Sequence, residues 1–162
     1  MEKGKGMNIL KLIVSIIICQ FAGLIGYLFT RPAFPTWYAS LRKPFFTPPD
    51  WVFGPVWIIL YILMGIAASI VWQKTLDPKQ TRNALILFGV QLVLNAFWPF
   101  VFFGLKSPLA ALITISILAA AILLTIQRFL GVSRTAGILL IPYFLWVSFA
   151  SGLNLSIWYL NC

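Results

Sequence analysis

Residues 9–29 read ILKLIVSIIICQFAGLIGYLF, an apolar run interrupted only by Lys11, Ser15, Cys19 and Gln20. A helix of about 20 apolar residues is long enough to cross a hydrocarbon core about 30 Å thick. The lysines before the run resemble the n-region of a signal peptide, but no small-residue cleavage site follows a short apolar stretch. The run therefore predicts a retained transmembrane helix.

Four further apolar runs follow, separated by short polar or proline-containing segments. Of the 162 residues, 61% are hydrophobic and only 9% are charged, and the mean hydropathy is +0.97. A soluble domain of this length needs a larger polar surface, so the composition favours a membrane protein. We predict an all-α integral membrane bundle of five transmembrane helices, forming a single domain over residues 1–162. The predicted spans are residues 9–29, 48–73, 78–104, 107–129 and 133–159.

The helix starts carry capping signals. Asp77 and Ser107 each precede a proline, and both residue types cap helices while proline suits the first helical position. Thr47 is predicted to cap the second span, with Pro48 next and Asp50 three residues after the cap. Residues 30–50 contain five prolines and three basic residues, so we predict a loop over residues 30–47, and a loop of this length is typically functional.

The net charge of +9 arises from twelve Lys or Arg residues against three acids. These cations lie at the ends of apolar runs, where they contact lipid phosphates and set topology, so no nucleic-acid partner is predicted. With the N-terminus inside, eight cations fall on the inner side and four on the outer side. This asymmetry predicts a cytoplasmic N-terminus.

The residue types exclude several chemistries. The chain has no histidine, which excludes His-based acid–base catalysis and His-ligated metals or haem. It has no glycine-rich phosphate loop, and no ionisable residue lies deep in a predicted span, as a pump would require. We therefore predict no catalytic residue, no metal and no cofactor, and a conventional enzyme or pump is not favoured.

Large aromatic residues are in excess, with seven Trp, five Tyr and fourteen Phe. Tryptophans at span ends fit an interfacial belt, but Trp57, Trp98 and Trp146 lie one or more turns inside their spans. Trp57 and Tyr61 stand one turn apart. Helical spacing places Gln91, Asn95 and Trp98 on one face, and Trp146, Ala150 and Asn154 on another.

The amides on these faces are expected to point into the bundle, because an amide in hydrocarbon needs a partner. Helix-packing contacts would explain them. Aromatic side chains with a few polar groups in a dry cavity are also what a flat, apolar ligand requires. The spacing alone leaves both interpretations open.

Three stretches resemble one known family. They are TWYASLRKPFFTPPDWVFGPVWIILYILMG at residues 36–65, NAFWPFVFFGLK at 95–106 and IPYFLWVSFASGLNLSIW at 141–158. In this order and spacing they are similar to the tryptophan-rich sensory protein family, also called translocator protein or peripheral-type benzodiazepine receptor. The resemblance covers about residues 20–160 and is to a microbial member.

The resemblance implies a five-helix bundle, usually a homodimer, with a cavity beneath the first loop. Members bind porphyrins such as protoporphyrin IX, and also benzodiazepine-site and isoquinoline-carboxamide drugs; transport, sensing and light-dependent porphyrin breakdown have all been proposed for them. The matching ligand-site residues are Trp57, Trp98, Trp146, Ala150 and Asn154, and the matching lid residues are Trp37 and Pro44.

The chain departs from the animal members at two places. Ala110 stands where they have a tryptophan, so that wall of the pocket is expected to differ. The sequence LSIWYLNC ends without the basic residue of the cholesterol-recognition pattern, which makes cholesterol binding doubtful.

We therefore hypothesise a membrane receptor or carrier that binds tetrapyrroles by stacking and enclosure, with Tyr61 and Asn95 added to the site. Arg42 and Lys43 near the mouth pair either with porphyrin propionates or with lipid phosphates. The alternatives are a light-dependent porphyrin-degrading enzyme and a structural or regulatory membrane partner.

Overall fold

The computed structural model describes residues 8–74 and 77–162. Within these residues, five helical segments are long and apolar enough to cross a membrane, which confirms the predicted five-helix class. The helices are α1 (Ile9–Ala33), α2 (Asp50–Trp72), α3 (Pro78–Pro99), α4 (Pro108–Val132), α5 (Arg134–Leu139) and α6 (Ile141–Leu160). Two π-helical segments extend this set: π1 (Phe34–Tyr38) continues α1, and π2 (Phe100–Gly104) continues α3.

The first span is longer than predicted. The expected loop over residues 30–47 is wrong in its first half, because α1 and π1 carry the helix to Tyr38 and only residues 41–49 lie outside helices. Pro35 is the second residue of π1 and lies inside the continuous helical segment. Two threonine hydroxyls donate to backbone carbonyls four residues earlier. Thr30, before Pro32, donates to the carbonyl of Gly26, and Thr36, after it, donates to the carbonyl of Pro32. Local π geometry of the kind seen in π1 allows proline within a membrane helix.

The second span begins at Asp50, and the predicted Thr47 cap is wrong. Pro49 occupies the cap position without a side-chain capping bond. The Thr47 hydroxyl instead donates to the carbonyl of Pro44 at 2.8 Å. The reason is the Pro48–Pro49 pair, because a residue that precedes proline is held out of the α-helical region. Asp50 keeps a favourable place in the first turn.

The next two helix starts form as the sequence predicts. The Asp77 carboxylate accepts from the backbone N–H of Gln80 at 2.9 Å. The Ser107 hydroxyl accepts from the N–H of Ala110 at 3.4 Å, and Pro108 follows it as the first residue of α4. These caps fix the points at which α3 and α4 enter the bundle.

The fifth span is interrupted, which the sequence reading did not predict. It is divided into α5 and α6 at Leu140. Pro142 causes the break, because it has no N–H for the carbonyl four residues earlier. The break separates the first six residues of the span from the long helix that carries Trp146, Ala150 and Asn154.

The amide residues face the interior, as predicted. Gln91 is 1% exposed, Asn95 3% and Asn154 1%. The helices meet over small residues, and Gly65 of α2 is the clearest example. A Cβ placed on Gly65 would lie 2.6 Å from the Cα of Ile16, so α1 and α2 pack in direct backbone contact there.

Candidate functional site

All five spans contribute to one cavity of about 770 Å³ inside the bundle. Its volume falls in the range of small-molecule binding sites, which is about 300–1,000 Å³. The structure brings all seven predicted ligand-site residues to its wall: Trp57, Tyr61, Asn95, Trp98, Trp146, Ala150 and Asn154. These seven residues therefore line one cavity. That they bind a ligand stays a prediction.

The α2 side of the cavity is aromatic. The rings of Trp57 and Tyr61 stack with centroids 5.5 Å apart and an interplanar angle of 27°, as the one-turn spacing predicts. Phe53, one turn before Trp57, also lines the cavity and makes an edge contact with Trp146 of α6 at 6.0 Å. This contact joins the aromatic residues of α2 to those of α6 into one continuous surface.

One polar group on the cavity wall, the indole N–H of Trp146, lacks a hydrogen-bond partner among the described residues. Trp146 is half-buried, and its ring packs against Phe149 with centroids 5.5 Å apart. Its indole Nε1 is buried. A buried N–H without a partner costs free energy, so a ligand with an acceptor near this atom would gain a hydrogen bond.

Asn154 connects α6 to the other helices of the cavity wall by hydrogen bonds. Its side-chain oxygen accepts from the indole Nε1 of Trp98 at 3.2 Å, and its Nδ2 donates to the carbonyl of Pro108 at 2.8 Å. One amide therefore ties α6 to α3 and to the start of α4. The Trp98 ring is held further by Phe102, which stacks on it at 5.1 Å.

Asn95 begins a chain of buried hydrogen bonds. Tyr61 donates to its Oδ1 at 2.5 Å, and its Nδ2 donates to the hydroxyl of Tyr143 at 2.9 Å. Tyr143 in turn donates to Oε1 of Gln91 at 2.8 Å. Tyr61 and Asn95 line the cavity, whereas Tyr143 and Gln91 lie behind its wall.

Several lining aromatics were absent from the prediction. Phe34 and Tyr38 come from π1, and Phe102 and Phe103 come from π2. These two π segments pack together, with the rings of Tyr38 and Phe103 5.6 Å apart. The π1 residues were missed because residues 30–47 were expected to form a loop. Their aromatic spacing was the signal that could have found them.

The predicted lid residues lie outside the cavity wall. Trp37 belongs to π1 and packs edge-on against Phe102 at 5.5 Å, behind the lining residues. Lys43 lies over the ring of Tyr38 at 4.6 Å, which places one lid cation next to a lining aromatic. Pro44 lies in the loop without a cavity contact. Ala110, where a different pocket wall was expected, packs near this aromatic cluster without lining the cavity.

The fourth lid residue, Arg42, is held through its backbone. Its N–H donates to Oδ1 of Asn161 at 3.0 Å, and its carbonyl accepts from Nδ2 of Asn161 at 2.9 Å. The same Nδ2 also donates to the carbonyl of Ile157 within α6. These two hydrogen bonds between Arg42 and Asn161, which we call the clasp, attach the loop to the C-terminal end of α6. The sequence did not predict this contact.

The electrostatics of the cavity are those of an apolar enclosure. In the described part of the chain, no three His, Cys, Asp or Glu side chains come together as metal ligands. The polar groups that line the cavity are mostly amides, hydroxyls and indoles, and among the residues that the structure describes no Lys, Arg, Asp or Glu lines it. The arrangement can enclose and stack a flat ligand.

Five apolar spans around this aromatic cavity define a multi-pass helical membrane protein with an internal cavity. The sequence profile of the TspO/MBR family matches residues 15–160, and the chain belongs to this family.

The relatives are similar along most of their length. The tryptophan-rich protein TspO of Archaeoglobus fulgidus is 46% identical over 155 residues, which cover 96% of this chain and 99% of that protein. Protein CrtK of Rhodobacter capsulatus is 34% identical over 155 residues, covering 96% and 95%. The translocator protein of Homo sapiens is 36% identical over 137 residues, covering 83% and 80%.

Proposed function

We propose that the protein is a membrane receptor or carrier for porphyrins, with a role in tetrapyrrole transport or sensing. The observation that carries this proposal is the single cavity of about 770 Å³ that gathers Trp57, Trp98 and Trp146 from three helices. A flat, apolar macrocycle gains burial and stacking in such an enclosure, with each stacked aromatic pair contributing about 0.5–1.5 kcal/mol beyond burial.

The polar groups support the same ligand class. Trp98 and Asn154 satisfy each other, so only a few groups, such as the indole N–H of Trp146, are left for a ligand. A mostly apolar site with few open polar groups favours large hydrophobic ligands over small polar ones. Arg42 and Lys43 lie in the loop above π1, where we propose that they meet either porphyrin propionates or lipid phosphates.

The names of the relatives describe the two roles that we propose. One relative is called a translocator protein and another a tryptophan-rich sensory protein. We propose that this chain works in the bilayer as a homodimer. Its residues on α1 that lie away from the cavity, such as Leu10, Ile13 and Ile18, are exposed and apolar, which suits contact with lipid.

Titration of the detergent-purified protein with protoporphyrin IX in the dark tests the proposal. Tryptophan fluorescence should be quenched saturably, and Trp57→Phe and Trp146→Phe should each weaken binding by about 2–12-fold, the equivalent of one aromatic contact. Trp158→Phe is the matched control, because Trp158 lies on the same helix as Trp146 outside the cavity.

Two outcomes would contradict the proposal. One is quenching that never saturates, and the other is an equal effect of all three substitutions, since either would mean that the aromatics serve packing alone. Illumination of the saturated complex then separates a carrier from a degrading enzyme. A carrier returns intact porphyrin, whereas an enzyme yields a product with new absorbance that is absent in Trp146→Phe.

A further inference from the structure

A buried polar chain links the cavity to the core of the bundle. It runs from Tyr61 of α2 through Asn95 of α3 and Tyr143 of α6 back to Gln91 of α3, with three hydrogen bonds of 2.5, 2.9 and 2.8 Å. We call these four side chains the relay. Three helices meet in it, through hydrogen bonds between residues 34, 48 and 52 positions apart in the sequence.

Only one end of the relay faces the cavity. Tyr61 and Asn95 line the wall, whereas Tyr143 is 0% exposed and Gln91 is 1% exposed, and neither lines it. Nε2 of Gln91 has no acceptor in the described part of the chain. At the cavity end of the relay the side chains of Tyr61 and Asn95 are hydrogen-bonded to each other. At its buried end one donor, Nε2 of Gln91, lacks an acceptor among the described residues.

Tyr143 also supports the aromatic wall. Its ring makes an edge contact with Trp57 at 6.3 Å, and Trp57 stacks on Tyr61. One buried side chain thus holds the amide of Asn95 through its hydroxyl and the ring of Trp57 through its edge. Hydrogen bonds in a low-dielectric interior are strong, and leaving one member unpaired is costly.

We propose that Tyr143 and Gln91 are positioning residues for the ligand-binding wall. They hold Asn95, Tyr61 and Trp57 in one arrangement without touching the ligand. This inference rests on the proposed function, because it needs a ligand whose affinity depends on that wall. It adds two positioning residues, Tyr143 and Gln91, that do not themselves line the cavity.

The test is a double-mutant cycle on protoporphyrin IX affinity, measured by fluorescence titration in the dark. Tyr143→Phe keeps the ring but leaves Asn95 Nδ2 and Gln91 without their partner. We expect it to weaken binding about tenfold, because the amide of Asn95 on the cavity wall loses the partner that orients it. In an Asn95→Leu background the same substitution should change affinity by less than about twofold, because Tyr143 acts through Asn95.

Two further variants make the test independent of folding defects. Gln91→Leu cuts the relay at its far end and should weaken binding in the same direction. Thr125→Val is the control, because Thr125 is also fully buried but its hydroxyl bonds within α4, and it does not line the cavity. It should lower the Tm without changing the affinity.

Each result decides the proposal. Loss of affinity in Tyr143→Phe that disappears in the Asn95→Leu background supports it. Unchanged affinity, additive losses, or an equal loss in Thr125→Val overturns it while the proposed function stands, provided that Trp146→Phe still weakens binding. If the wild-type protein does not bind saturably, the proposed function fails and the positioning role fails with it.

Discussion

Single side chains decide what the cavity can hold. Asn95 and Asn154 are both buried amides on the cavity wall, but each is committed to a different structure: Asn154 clamps Trp98 and Asn95 joins the relay. Ala150 lies one turn before Asn154 and lines the cavity with a single methyl group. Its small size leaves room that any larger side chain would fill.

Ala150→Thr should weaken flat ligands, because the added atoms point into the space that the ligand needs. We expect a loss of at least severalfold in protoporphyrin IX affinity, in line with the cost of overfilling a packed site, about 1–3 kcal/mol. Gly152→Ala is the control, since a Cβ there meets nothing within 4 Å. Unchanged affinity in a folded Ala150→Thr protein would mean that Ala150 does not contact the ligand.

Helical periodicity predicted the wall residues of α2, α3 and α6, because residues one turn apart within a helix lie on the same face of that helix. It could not predict the relay. Spacing within one helix does not say which residue of another helix it will meet, so the partnership of Asn95 with Tyr143 appeared only in the folded chain. The unpartnered Gln91 Nε2 is likewise a property of packing.

At the scale of elements, the first span carries the largest difference from the prediction. Pro32 and Pro35 indicated a loop, but α1 continues through them into π1. The hydroxyls of Thr30 and Thr36 donate to backbone carbonyls beside the prolines. A local pattern of prolines therefore misleads in a membrane helix, where local π geometry accommodates proline.

The α1–α2 contact predicts a stability difference between two glycines. Gly65→Ala should lower the Tm, since its Cβ would meet the backbone of Ile16, and overpacking of this kind costs about 1–3 kcal/mol. Gly89→Ala should be neutral or stabilising by up to about 1 kcal/mol, because its Cβ would meet nothing within 4 Å. Thermal unfolding in detergent compares the two, and equal Tm values would refute the close approach.

The clasp between Asn161 and Arg42 predicts an effect on ligand exchange. Asn161→Ala removes both hydrogen bonds to the loop backbone. We expect faster association and faster dissociation of protoporphyrin IX in stopped-flow quenching, with little change in Kd, because the loop lies outside the cavity wall. Ser156→Ala, on the same helix, should leave both rates unchanged. Unaltered rates in Asn161→Ala would show that ligand does not pass this loop.

At the scale of the whole molecule, the tryptophan excess divides between two purposes. Three tryptophans line the cavity, and the others lie on π1 or near helix ends, where Trp51 is 74% exposed. Composition indicated the membrane class and the aromatic excess. It could not divide the tryptophans between a lipid-facing belt and a cavity, since that division depends on how the five spans pack.

The loop charges predict a cytoplasmic N-terminus, and two cysteines can test this orientation. Cys162 is exposed at the C-terminal end, whereas Cys19 is buried in the core. A membrane-impermeant maleimide applied to intact cells should label wild-type protein but not a Cys162→Ser variant. Labelling that requires permeabilised cells would reverse the predicted topology.

We propose that one cavity binds a porphyrin and orients it. Circular dichroism in the Soret region tests it most directly, because protoporphyrin IX is achiral and gains a signal only when a chiral site orients it. We predict a Soret band that saturates with protein, persists in Trp158→Phe and falls strongly in Trp146→Phe. Binding without a Soret signal, or with one that is indifferent to Trp146, would mean that the porphyrin does not occupy this cavity.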